Sequence, residues 1–420
     1  MKNAGRIGLA AALVFALAAF QHGNEVKAAG GPAESEGGYR VLAPIESGNL
    51  LLFPVVRSGG KASGETPFIT LDEGIRSGEV EVTEAGKVGG LMRPRGTIGV
   101  PPYQYDRFRG APEPQNENSR GDQVNTLVLV NHSKRPLLLL AGEIVTGGKQ
   151  DRVIAKDRIV PVDADPIDLS VFCIEPGRWT ESSPTFGAAA KAPANGFMVQ
   201  PAVREQAMVA KDQQQVWNSV RGAIAQMEVA AAPSASRTVT AGSMANIASS
   251  GNIGTSSYAK EMESSAVSEK VDEAAPVIEA REQVLAKLRD EHAIGVVVAV
   301  RGEIVWADLF TDTDLLSRYW TKLVRSYAAE SLTEHGTNAA PNMADAQHYL
   351  DAPASGREDS EGDVGVYRYS EFHSRGTETF VLESLLPGTG YEVHISKMKL
   401  RGAEERVAKP LSNVRPLPQW

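Results

Sequence analysis

The chain has 420 residues, 42% hydrophobic and 23% charged, which is enough to bury a core of domain size or more. A net charge of −9 excludes an electrostatic grip on nucleic acid, which needs a basic face. A single cysteine excludes an intramolecular disulfide and any multi-cysteine zinc or iron–sulfur site.

At the amino terminus Lys2 and Arg6 precede the apolar run Ile7–Phe20, and Val26 and Ala28 offer the −3 and −1 positions of a cleavage site. Positive start, short apolar middle and small-residue exit are the parts of a secretory signal, so residues 1–28 are expected to be removed on export to a bacterial periplasm or exterior. The run is shorter than the ~20 apolar residues that span a bilayer, so no stable membrane span is expected after cleavage. The single cysteine is Cys173, so no lipid-anchoring cysteine follows the signal.

Residues 39–228 read as a β-rich part that ends in a helix. Leu50–Val56 is apolar, Glu79–Thr83 alternates, and residues 109–122 carry no periodicity and read as an exposed loop. Val124–Val130 and Leu137–Val145 flank a polar turn and predict a hairpin. Pro136–Leu140 is apolar at both parities, which predicts a strand covered on both faces. From Ile167 to Glu175 alternation puts Ile167, Leu169, Val171 and Cys173 on one face. Helical spacing from Val203 to Met227 places Val216, Val220, Ile224 and Met227 on one stripe.

Residues 229–275, rich in Ala, Ser, Gly and Thr, read as a mobile insert. Residues 276–333 predict a helix opened by Pro276, a hairpin turning at Arg301-Gly302, and a helix capped by Asp312 or Thr313. The stripe of that last helix is Leu316, Tyr319, Trp320, Leu323, Val324 and Tyr327. Residues 336–420 read as a polar linker and a small β appendage. The expected fold class is α+β: an antiparallel sheet or sandwich-like core with a few packed helices, plus that C-terminal appendage.

Two segments go beyond pattern: Ala141-Gly-Glu143-Ile-Val-Thr-Gly147-Gly-Lys149-Gln150-Asp-Arg152, and Cys173-Ile-Glu175-Pro-Gly177-Arg178-Trp179. With VVAVRGEIVWADLF and LSRYWTKLVRSYAAE downstream, they resemble the bacterial ARG and rhodanese-phosphatase-superfamily-associated protein domain family, over about residues 45–333 without the insert. The family name records association with ADP-ribosylglycohydrolase and phosphatase-like proteins. The resemblance implies motif positions and no catalytic residue. The export signal, the insert and the C-terminal extension depart from the usual pattern of the family.

Lys149, Gln150 and Arg152 follow a Gly-Gly turn beside Glu143, where they could orient a carboxylate or phosphate, or pin the turn as ion pairs. Glu143 and Glu175 admit a glycosidase reading, with carboxylates ~5 to 9 Å apart across a sugar bond. Cys173 to Arg178 has the spacing of an anion-cradling loop, but Pro176 removes a donor and Cys173 shares an apolar face. Trp179 could stack on a ligand or close the core. The histidines beyond the signal (His132, His292, His335, His348, His373, His394) show no paired metal-ligand spacing, and no P-loop, GxGxxG after a strand, or GxSxG is present. No cofactor or metal is therefore expected.

The candidate ligand-binding residues are Glu143, Lys149, Gln150, Arg152, Glu175, Arg178 and Trp179. They favour a non-catalytic exported binding domain whose partner is a protein or a small anionic ligand. The alternatives are a hydrolase of a phosphorylated, glycosidic or ADP-ribosyl-type bond, and a structural envelope protein. On the binding reading, Arg152→Ala and Arg178→Ala cost function more than melting temperature.

Overall fold

A computed structural model describes residues 38–58, 66–84, 127–178, 180–187, 196–232, 255–275, 281–333, 340–389 and 392–400. The expected signal, the loop at 109–122, Pro276 and Trp179 lie outside these residues.

In chain order the strands β1 (Tyr39–Val41), β2 (Ile45–Ser47) and β3 (Leu50–Arg57) are followed by β4 (Ile69–Thr70), α1 (Leu71–Ser77) and β5 (Val80–Glu84). Short strands come next: β6 (Leu127–Asn131), β7 (Leu137–Leu139), β8 (Ile144–Val145), β9 (Arg152–Ile154), β10 (Arg158–Val160), β11 (Ile167–Leu169), β12 (Val171–Cys173) and β13 (Thr185–Phe186). A helical stretch holds α2 (Pro201–Glu205), α3 (Gln213–Ala231), α4 (Tyr258–Glu263), α5 (Ser265–Ala274) and α6 (Arg281–Asp290). The hairpin β14 (Ala293–Val300) and β15 (Glu303–Phe310) leads to α7 (Thr313–Thr333) and α8 (Met343–Asp351). The chain then runs through β16 (Arg357–Asp363), β17 (Tyr367–Ser374), β18 (Thr377–Ser384) and β19 (Glu392–Lys399).

The fold is α+β. A nine-stranded antiparallel sheet in the order β1-β3-β14-β15-β19-β18-β17-β16, with β2 also on β3, forms the frame. Its Val296, Val298 and Trp306 pack with α3, α5 and α7 in the main core, while Phe53, Val55, Val297 and Leu309 face a smaller core with Ala346 of α8. Because both faces are covered, β14 is apolar throughout. Its hairpin turns on Arg301 (φ 47°) and Gly302 (φ 85°), the paired positive φ that matches strand twist.

Three small sheets build the remainder around a third core. Leu138 and Leu140 lie in the main core and Leu137 and Leu139 in the third, so the strand apolar at both parities is covered on both faces. The stripes of α3 and α7 are buried as the periodicity predicts, and Asp312 caps α7 by accepting the Leu315 N–H at 2.8 Å.

Five readings need correction. The predicted hairpin at 131–136 does not form: β6 pairs with β5 and β11, and β7 with β4 and β10. Asn131 redirects the chain there, accepting the Ser133 N–H and donating to the carbonyls of Arg135 and Pro161. The alternating run 167–175 breaks into β11 and β12, which belong to different sheets. The helix beginning near 203 is interrupted by a π turn, Gln206–Ala210, and by left-handed Lys211 before Asp212 recaps it. Part of the stretch expected to be a mobile insert is packed helix: α4 and α5 start at the serine caps Ser257 and Ser264 and bury Tyr258, Met262, Val267 and Val271. The C-terminal strands are no appendage, because β19 pairs with β15 and completes the main sheet.

Candidate functional site

Glu143 sits where the chain turns from β7 into β8, beside Gly142 at φ 95°. A Cβ at Gly142 would meet Arg204 Cγ at 2.7 Å, so the glycine permits a close approach. The Glu143 carboxylate is buried, accepts the Leu140 N–H at 2.7 Å, and lies 2.5 Å from Lys322 Nζ on α7. Lys322 also bonds Asp72 of α1, and its ammonium stands 4.6 Å over the Tyr319 ring. Burial pushes the Glu143 carboxyl up, Lys322 pulls it back and Asp72 pushes it up again, to about 7. Burial opposes the Lys322 charge, but Asp72 and Glu143 hold its pKa above the ordinary lysine value.

The second motif meets the first at Arg178. Its Nε donates to Glu175 Oε2 at 2.5 Å, and Nη1 donates to the carbonyls of Gly148 (2.8 Å) and Thr180 (2.9 Å). Nη2 donates to the Gly147 carbonyl and to Asp151 Oδ1, at 3.3 and 3.2 Å. Glu175 also accepts the Asp151 N–H at 3.2 Å and lies 3.6 Å from Lys260 Nζ. Ser257, the cap of α4, donates to Asp151 Oδ2 at 2.8 Å while accepting the Lys260 N–H. Burial, then Glu175, raises the Asp151 pKa. The two motifs thus touch, and α4 is bonded to both.

The remaining candidates separate. Arg152 is buried, donates to the Gln150 carbonyl, and has Nη2 4.0 Å from Glu84 Oε1 and its guanidinium 5.9 Å over Phe186. Half-buried Lys149 donates its N–H to Glu84 Oε1 at 3.2 Å. Gln150 is fully buried, and neither polar atom of its side chain has a hydrogen-bond partner among the described residues. Glu143 and Glu175 bond to different partners, which leaves the glycosidase pairing without support. Cys173 is buried, its backbone is held on both sides by the Gln213 side chain, and Arg178 is committed to carbonyls and carboxylates, so no anion cradle forms.

Sequence reasoning missed the partners: Asp72, Glu84, Asp151, Ser257 and Lys322. It also missed a second buried network. Arg204 pairs with Asp308 at 2.9 Å, His394 Nδ1 lies 2.6 Å from Asp157, and His394 Nε2 lies 3.3 Å from Asp308. Tyr327 and Ser396 also donate to Asp308. Burial opposes the His394 charge, but Asp157 and Asp308 hold its pKa up at about 9. The available signal was a charge inside an apolar element, as with Asp308 in EIVWADLF and Lys322 in RYWTKLV.

Among the described residues no group of three or more His, Cys, Asp or Glu could hold a metal ion. No described helix is long and apolar enough to cross a membrane. Neither a search of curated proteins nor one of solved structures gives a match. A family model does match, over residues 38–398, which extends past the 45–333 read from the motifs and takes in the C-terminal strands. With its two motifs joined at Arg178 and that model spanning most of its length, the chain belongs to the ARG and Rhodanese-Phosphatase-superfamily-associated Protein domain family.

Proposed function

We propose that the protein is an exported, non-catalytic binding domain in which the two family motifs hold the frame, while a partner protein or small anionic ligand is met on the remaining surface. The observation that carries this reading is the state of Arg178. All five of its N–H groups donate to protein acceptors, leaving none for a substrate anion. Glu143 and Glu175 are likewise buried against cations and backbone N–H groups. A hydrolase needs its acid and base converging on a water-accessible concavity. Export is supported by the charged start and the apolar run Ile7–Phe20.

This geometry reverses the expectation for the arginine variants. Removing one partner of a buried charge pair costs about 3–5 kcal/mol, so Arg152→Ala is expected to lower the melting temperature strongly, and the partly exposed Arg178→Ala somewhat less. Scanning calorimetry reads this, beside assays with nitrophenyl phosphate, nitrophenyl glycosides and an ADP-ribosylated peptide, none of which is expected to turn over. Turnover that Glu143→Gln or Glu175→Gln abolishes at an unchanged melting temperature overturns the reading. Export is checked by cell fractionation and by sequencing the mature amino terminus, expected at Ala29.

A further inference from the structure

The nine-stranded sheet has two edges, and the chain treats them differently. Along β1, Gln347 of α8 lays its side-chain amide where another strand would pair. Its Oε1 accepts the Val41 N–H at 2.8 Å, and its Nε2 donates to the Tyr39 carbonyl at 3.1 Å. Lys397 fastens α8 in place by donating to the carbonyls of Tyr349 (2.6 Å) and Ala352 (2.5 Å). The β1 part of this edge is therefore covered by a helix, a common protection against unwanted pairing.

At the other edge, β16 has β17 on one side and no strand on its other side among the described residues. It pairs with β17 residue for residue, from Arg357↔His373 to Asp363↔Tyr367, without a bulge. It contains no proline. Gly362 within it and Gly356 just before it approach the neighbouring strand closely: a Cβ at either would run into the backbone carbonyl of Tyr367 or His373. A long, regular, unbulged edge is a template for strand addition.

The side chains select what can be added. The strand Arg357-Glu-Asp-Ser-Glu-Gly-Asp363 sets four carboxylates against one guanidinium. Glu358 is exposed and accepts from Ser360 Oγ at 2.9 Å. The Asp359 side chain is 44% exposed although Arg357 and His373 bond it, and that of Glu361 is 38% exposed although Lys156 lies 2.8 Å away. Like charges placed opposite one another destabilise a strand pair, so a second copy of β16 is disfavoured and a basic strand favoured.

We propose that β16 is the docking edge for an extended, lysine- or arginine-bearing segment of a partner protein, added to the sheet as a further strand. This rests on the binding-domain reading and gives it a place and a chemistry. The test titrates the full chain with a dye-labelled octapeptide of alternating lysine and valine, and with its glutamate–valine twin, read by fluorescence anisotropy and by amide hydrogen exchange. The basic peptide is expected to bind and to slow exchange within residues 357–363. Its affinity is expected to fall about tenfold in Glu358→Lys/Asp363→Lys at an unchanged melting temperature, and to weaken with salt. Equal binding of the two peptides, or protection confined to other strands, overturns the proposal. If β16 gains no protection but the basic peptide slows exchange elsewhere in the chain, the docking edge alone falls and the binding-domain reading stands.

Discussion

At the scale of single residues, Gln150 differs from the charged residues of the two motifs. The side chains of Arg152 and Arg178 and the backbone N–H of Lys149 donate to carbonyls or carboxylates, whereas the Gln150 amide is buried with neither polar atom bonded among the described residues. A buried unpaired amide costs about 1–3 kcal/mol, so Gln150→Met, of similar volume, is expected to raise stability by about that much in a denaturant melt. A loss instead would show that burial of the amide is not a net cost to the fold. The sequence placed these residues after a Gly-Gly turn beside Glu143. It could not show where each side chain goes, because Gly147 (φ 142°) and Gly148 (φ 50°) set the directions and no periodicity governs such a turn. A Cβ at Gly148 would lie 2.5 Å from Glu84 Oε1, a contact invisible without coordinates.

Whole elements were legible in proportion to how strongly their own residues demand them. The stripe of α7 and the two-residue turn at Arg301-Gly302 are local signals that stand in the structure as read, and of the two caps offered, Asp312 or Thr313, the structure uses Asp312. Removing that cap in Asp312→Ala is expected to cost about 1 kcal/mol, measured by urea denaturation, with the fold retained. By contrast, α4 and α5 were hidden by composition. Their small residues dilute an apolar spacing carried only by Tyr258, Met262, Val267 and Val271. The hairpin expected at 131–136 failed for a different reason. Strand pairing is decided by partners far along the chain, and Asn131 sends β6 and β7 into separate sheets.

Across the whole molecule, the buried charges join segments that look independent in sequence. His394 on β19 meets Asp157, 237 positions earlier, and Asp308 on β15 meets Arg204 of α2. A boundary near residue 336 followed from polar composition alone, and these long-range pairs are why it does not divide the structure. Their titration is measurable. The folded pKa of His394, about 9, exceeds the unfolded value of ~6.5. Its stabilisation is therefore complete below ~6.5 and lost as pH rises through about 9. The melting-temperature gap between the parent and His394→Gln is accordingly expected to narrow from pH 7 to pH 9; a constant gap would mean that His394 carries no extra proton in the folded state. One more consequence follows from β7, whose alternate leucines fill two different cores. That strand is a party wall between two rooms, so the described core is expected to melt as one cooperative unit, a single transition in scanning calorimetry.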